Sequence, residues 1–224
     1  MVNFFGNGKA YAEYVTSSVN HLALKTENVT HQQAVASAMV ASTAYQALVD
    51  VAKIKKGDKV LVHGASGGVG HSAVQIAKNF GAYVIGTSSA KNRDFVLSLG
   101  ADEHVDYTSE NFAEKVQDVD IVLDTIQGET LLNSVDSVRS GGIIVTLPTP
   151  EIPKDVKEKA DKKYVNIEFL MVASKNETIT AIAKLLENGA LKPHIHKVFP
   201  FEEIAKAHLE VETNRVAGKV VVNI

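Results

Sequence analysis

Residues 59–70 read KVLVHGASGGVG. Val60–Val62 is a short apolar run that reads as a buried strand, and Gly64, Gly67, Gly68 and Gly70 then leave the backbone almost bare of side chains. A helical pattern begins directly afterwards. A strand that breaks into a tight glycine turn and enters a helix is what a dinucleotide pyrophosphate requires. The backbone can approach the phosphates, and the free N–H groups of the helix start face the anion. The strict spacing G-x-G-x-x-G would place Gly at position 65, where this chain has Ala65; Gly67 and Gly70 hold the second and third places. Ser66, Gly67, Gly68 and Val69 form the candidate phosphate-binding turn. Gly64-x-Ser66-x-Gly68 also spells the G-x-S-x-G turn of a hydrolase nucleophile. No acid–base partner can be placed for Ser66, and the glycines fit a cofactor turn better.

A second segment bears on which dinucleotide. A site for NAD usually places an acid about 20 residues past the glycine turn, on the ribose 2′-OH. Here residues 86–93 read GTSSAKNR, and no acid occurs before Asp94. Ser88 and Ser89 can donate hydrogen bonds to a 2′-phosphate, and Lys91 and Arg93 can supply charge. This pattern favours NADPH over NADH. It also argues against a ligand with a free ribose, such as S-adenosylmethionine. A plain loop with a capping serine and solvated cations is the alternative reading of the same residues.

The elements around these residues alternate. Ala73, Ile76, Ala77 and Phe80 share one helical face, and Gly81 stops that helix. Strands are expected at 83–85, 105–107, 121–123, 143–147 and 165–172, with helices at 94–99, 112–116 and 129–138. Such alternation at short spacing means βαβ units and a parallel sheet. The charge-rich stretch 151–163 reads as a solvated helix with one buried stripe through Ile152, Val156, Ala160 and Tyr164. Outside this core, 30–48 is a helix pattern opened by a capping box of Thr30 and Gln33. Helices are also expected at 179–186 and 201–211, short extended segments at 197–199 and 219–224, and extended segments with turns over 11–24.

Composition excludes several chemistries. The 224 residues carry a net charge of −3 with both signs interspersed, so neither a nucleic-acid partner nor a membrane surface is expected. There is no cysteine, which removes disulfides, thiolate zinc sites and Cys nucleophiles. His194 and His196 share a strand face, but nothing nearby completes a metal set. His63 and His71 flank the glycine turn and read mainly as structural. Residues 1–15 lack the pattern of a signal peptide, and no apolar run approaches a membrane span. A cytoplasmic protein is expected.

The quoted motifs, taken together, resemble the medium-chain dehydrogenase/reductase superfamily, in its zinc-independent quinone oxidoreductase and enone reductase branch. Residues 11–15 (YAEYV), 42–48 (STAYQAL), 64–70 with its Ala variant of the turn, 99–102 (LGAD), 120–124 (DIVLD), Gly141-Gly142 and 218–222 (GKVVV) fall in family order. The resemblance implies an α/β protein with a doubly wound parallel sheet (Rossmann fold) and remnants of a GroES-like β domain at both ends. The division would be 1–48 as catalytic-domain remnant and connecting helix, 49–176 as dinucleotide-binding domain, and 177–224 as return helices and strands. Little precedes the YAEYV segment where family members carry most of that GroES-like domain. The resemblance therefore implies a truncated form or fragment, with exposed strand edges that could pair with a second copy as a homodimer.

By the same resemblance, Thr43 and the Gly67–Val69 backbone would reach the phosphates, and Tyr107 would stack near the adenine. Thr125, Ile126 and residues Leu147–Thr149 would line the nicotinamide side, with Leu170–Val172 and Arg215 as weaker candidates. The implied activity is NADPH-dependent, zinc-independent hydride transfer to a quinone or an α,β-unsaturated carbonyl. No residue is assigned as catalytic acid. A non-catalytic NADPH-binding module is the second reading.

Overall fold

The computed structural model describes residues 11–224. Part of the segment read as lacking a signal peptide, residues 1–10, lies outside the described residues. The chain divides into two compact units: Ala44–Met171, and the residues up to Thr43 together with Val172–Ile224.

Helix α1 (His31–Tyr45) starts with the expected capping box. The Gln33 N–H donates to Thr30 Oγ1 (3.1 Å), and the Thr30 N–H donates to Gln33 Oε1 (2.9 Å). It continues as a wider π turn over Gln46–Val51. The combined 21-residue helix is long and apolar enough to cross a membrane, which corrects the expectation that no run approaches that length. However, 67% of its most apolar stretch is buried inside the protein, as in the core helix of a globular fold.

The Ala44–Met171 unit is built on six parallel strands: β1 (Lys59–Val62), β2 (Tyr83–Ser88), β3 (Glu103–Asp106), β4 (Val119–Asp124), β5 (Val138–Thr146) and β6 (Asn166–Phe169). Their order is β3-β2-β1-β4-β5-β6. The chain moves outward from β1 to β3, then returns to lay β4 on the other side of β1. This reversal opens a crevice at the C-terminal ends of β1 and β4, where ligands of such sheets bind. Register is regular there: Val62 pairs with Gly86 and Leu123, and Asp124 pairs with Thr146.

The connections are α2 (Gly68–Asn79), α3 (Arg93–Ser98), α4 (Phe112–Lys115), α5 (Glu129–Ser137) and α6 (Lys154–Lys163). Ala73, Ile76 and Ala77 of α2 are fully buried, as their spacing predicts. The main apolar cluster joins Leu61, Ile85, Val122 and Ile144 of the strands to Phe112, Leu131, Val135, Val156 and Ala160 of α4, α5 and α6. The stripe expected on α6 stops at Ala160. Tyr164 leaves the helix in the left-handed conformation (φ 57°) and points to solvent, 78% exposed. Strand β5 begins earlier than expected, because Gly141-Gly142 lies within it and not before it.

In the other unit, α7 (Asn176–Glu187) is followed by β7 (Ile195–Pro200), α8 (Ile204–Glu212) and β8 (Lys219–Asn223). β7 and β8 pair in parallel, with Val198 opposite Val221. Among the described residues before α1 there is a short 3-10 turn, Val19–His21, and no regular strand.

Candidate functional site: the crevice between β1 and β4

The glycine turn is fastened by its own backbone. Ala65 N–H donates to Thr87 O (2.9 Å), Gly67 N–H to Gly64 O (2.9 Å) and His71 N–H to Gly67 O (3.0 Å). Gly67, in extended conformation, caps α2. Helical geometry leaves the next amides, of Gly68, Val69 and Gly70, with no acceptor inside the helix, so they are free for an anion. A Cβ on Gly70 would run into the Gly64 carbonyl and lie 2.7 Å from Ala65 Cα, so only glycine lets α2 approach the turn this closely. The Ala65 variant has a reason in the neighbouring strand. Its methyl group is fully buried, and it occupies space next to Gly86, where an added Cβ would sit 2.8 Å away.

The segment after β2 is more structured than its sequence suggests. Ser88 is buried (2% exposed), with its hydroxyl 2.8 Å from His104 Nε2 and 3.2 Å from the Ser89 carbonyl. It acts as an interior strut, which leaves Ser89 as the accessible hydroxyl. Asn92 Nδ2 donates to Ser66 Oγ (3.0 Å) and lies 3.5 Å from Ser89 Oγ. One side chain thus ties this segment to the glycine turn. Lys91 and Arg93 are exposed, Arg93 being 3.5 Å from Asp94.

An acid also arrives from outside the local sequence. Asp106, the last residue of β3, accepts from Ala90 N–H (3.1 Å) and from the Thr108 and Ser109 hydroxyls (2.7 and 2.8 Å). Those hydroxyls hold its carboxyl below the usual range. Burial pushes the His104 imidazole below its ordinary value; Asp106 and Glu110 oppose this, and Arg93 reinforces it. Tyr107 is 63% exposed beside this segment, its N–H donating to Ser88 O (3.3 Å).

On the other side of the crevice, Thr125 Oγ1 donates to His63 O (2.8 Å), and Ile126 is 45% exposed. Leu147 N–H donates to the Asp124 carbonyl (3.0 Å), which joins the ends of β4 and β5. Thr149 Oγ1 is buried with no partner among the described residues. Asp124, quoted in a motif but given no role from sequence, is fully buried. Burial raises its carboxyl to about 6, although Thr146 Oγ1–H (2.8 Å) and Ile126 N–H (2.9 Å) both stabilise the anion. An acid closing an apolar run, DIVLD, was the available signal for it.

The structure therefore brings Ser66, Gly67, Gly68, Val69, Ser89, Thr125, Ile126 and Leu147 to the C-terminal edge of one sheet, with Lys91, Arg93 and Tyr107 beside the β2 and β3 ends. Thr43 and Arg215 belong to the other unit. Thr43 is buried on α1 with its hydroxyl on Met39 O (2.9 Å), and Arg215 is exposed in the loop before β8. Leu170 follows β6, and Val172 opens the other unit's second segment.

A nicotinamide dinucleotide fits these residues: a backbone cradle that side chains would fill, free amides at a helix start, and hydroxyls and cations one strand away. The chain has no cysteine, and among the described residues no three His, Asp or Glu gather as a ligand set.

Residues 99–222 match the family model described as zinc-binding dehydrogenase. The mouse (Mus musculus) mitochondrial NAD(P)H oxidoreductase RTN4IP1 is 32% identical over 95% of this chain and 61% of its own length. The tomato (Solanum lycopersicum) 2-methylene-furan-3-one reductase is 35% identical over 95% of this chain and 52% of its own. The solved structure of the quinone oxidoreductase from Coxiella burnetii superposes with a TM-score of 0.88 at 35% identity, covering 96% of this chain and 68% of that one. The chain thus spans about three fifths of the mouse relative.

Proposed function

Since the chain belongs to the zinc-binding dehydrogenase family, within the medium-chain dehydrogenase/reductase superfamily, we propose that it binds NADPH and supports zinc-independent hydride transfer to a quinone or an α,β-unsaturated carbonyl. The observation that carries this reading is the glycine turn at the sheet's switch point, where bare backbone and the α2 amides face the crevice between β1 and β4. The bound nicotinamide supplies the hydride.

The protein's own residues bind and orient. The Gly68–Gly70 amides hold the pyrophosphate. Ser89, Lys91 and Arg93 meet the 2′-phosphate, and Asn92 keeps that segment against Ser66. Asp106 is already engaged by Ala90, Thr108 and Ser109, which ties it to the protein's own turn and disfavours the ribose contact of an NAD-selecting acid. Thr125, Ile126 and Leu147 wall the nicotinamide side. No catalytic acid is assigned; the proton comes from solvent or the cofactor ribose.

The second reading is an NADPH-binding module without turnover; the chain corresponds to 61% of the mouse relative's length. The test is to titrate NADPH and NADH by nicotinamide fluorescence and then assay reduction of a naphthoquinone and a simple enone. We expect NADPH to bind at least about tenfold tighter than NADH, the worth of one charge-assisted contact. Turnover sinks the second reading, and failure to bind either nucleotide sinks both.

A further inference from the structure

Asp124 is a fully buried carboxylate with no cation against it among the described residues. Burying a charge without a counter-ion is costly, and an apolar residue of similar size would close β4 more cheaply. Its contacts show what the carboxylate holds. Oδ1 accepts the Ile126 N–H (2.9 Å), which fixes the turn leaving β4. Oδ2 accepts the Thr146 hydroxyl (2.8 Å), which fixes that turn to β5. The turn is latched on its other side as well, by Thr125 Oγ1 on the His63 carbonyl (2.8 Å). There Thr125 Oγ1 lies 2.6 Å, and Ile126 Cδ1 3.4 Å, from where a Cβ on Gly64 would stand. The turn after β4 therefore closes directly on the first residue of the glycine turn.

We propose that Asp124 is a positioning residue for the nicotinamide half of the site: its carboxylate holds the Thr125–Ile126 turn against Gly64 and so sets the width of the crevice where the nicotinamide enters. The proposal rests on the dinucleotide reading above. It separates the site into two halves with different supports. The adenosine half depends on the glycine turn and the segment after β2. The nicotinamide half depends on a buried acid that touches no ligand.

The test uses the full chain as wild type, Asp124→Asn, Asp124→Leu and Thr146→Val. The readouts are dissociation constants for NADPH and for 2′,5′-ADP, which lacks the nicotinamide half, with the melting temperature as a check on folding. Losing the acceptor for the part-buried Ile126 N–H should weaken NADPH binding about tenfold in Asp124→Leu. Asp124→Asn still offers that N–H an acceptor and should stay within about threefold of wild type. Thr146→Val removes one arm of the latch without touching Asp124 and should weaken NADPH about threefold. The affinity for 2′,5′-ADP should hold within about twofold throughout. The proposal is overturned if NADPH affinity is unchanged in Asp124→Leu, or in Thr146→Val should the leucine variant not fold. It is also overturned if 2′,5′-ADP weakens in parallel. If wild type binds neither ligand, the cofactor reading itself falls, and this proposal with it.

Discussion

The two ends of the six-stranded sheet use similar residue types in opposite ways. At the N-terminal edge, Asp120 accepts from the Lys59 N–H at the head of β1 (2.8 Å) and from Arg139 Nε on β5 (2.6 Å). Asp102, just before β3, accepts from the Val84 N–H of β2 (2.7 Å) and pairs with Lys78 of α2 (2.8 Å). Partial burial works to raise both carboxyls, but the amides and cations outweigh it and hold them below the usual range. At the C-terminal edge, Thr87, His63, Asp124 and Thr146 form a row across β2, β1, β4 and β5, none more than 3% exposed. His63 bonds Thr87 Oγ1 (3.1 Å) and Ser134 Oγ (3.0 Å), with Phe112 packed on its ring. Because the Ser134 hydroxyl donates to Thr130 O (2.6 Å), it accepts from His63 Nε2–H, and Thr87 donates to Nδ1. Burial keeps this imidazole neutral, pushing it down to about 3. The base is clamped by partly solvated charges. The top must leave its amides free for a ligand, so it is held from beneath by buried hydrogen bonds.

The largest expected effect is at the top. Gly70→Ala forces a methyl group into the Gly64 carbonyl, which is backbone and cannot turn aside. We expect a stability loss of about 3 kcal/mol and a loss of NADPH binding of more than about tenfold, since about 1.4 kcal/mol is a factor of ten. Val138→Ala is the control at the base, where Val138 opens β5 fully buried. It should cost about 2 kcal/mol and leave the NADPH dissociation constant unchanged. Denaturant unfolding and nucleotide titration on both variants measure this. If Val138→Ala weakens NADPH as much as Gly70→Ala does, the two edges are not separable.

A pH experiment gives the next effect. The unfolded chain protonates His63 near 6.5, whereas the folded chain resists until about 3. Its contribution is fully present above 6.5 and is lost as pH falls through that window. Asp124 works in the opposite sense, losing stability as pH rises from the ordinary carboxylate range through about 6. The difference between wild type and His63→Leu isolates the imidazole. At pH 7 the variant should be about 1–3 kcal/mol weaker, because the Thr87 hydroxyl loses its acceptor, yet it should lose less stability than wild type between pH 6.5 and 4. Urea unfolding across that range measures it, and parallel curves would show that His63 does not set the acid response.

The alternating pattern made the parallel sheet and its helices legible, because buried strands and amphipathic helices follow from local periodicity. The glycine turn was legible for the same reason: its demands fall on adjacent residues. What could not be read is what arrives from other strands. Asp106 reaches the segment after β2 from β3, His104 takes the Ser88 hydroxyl, and Thr146 completes the bonding of Asp124. Each is set by register between strands distant in sequence. Tyr164 failed differently: its spacing fits the α6 stripe, but the chain turns left-handed one residue too soon.

The smallest expected effect is at the base, where the charges look strongest. Lys78→Met and Arg139→Met each remove a cation whose side chain is 32% or 48% exposed. Water and salt already screen these pairs, so each change should cost no more than about 1 kcal/mol. The backbone amides of Val84 and Lys59 still hold Asp102 and Asp120, which keeps the strand ends in place. Both carboxyls sit below their usual range, so the stability they contribute is present above that range and lost as pH falls beneath it. The variants should show a shallower loss there, and should converge on wild type at about 1 M salt, where the Debye length is about 3 Å. NADPH affinity should not move. A weakened NADPH affinity in either variant would mean that the clamps at the base reach the crevice through the strands, and that the edges act as one device.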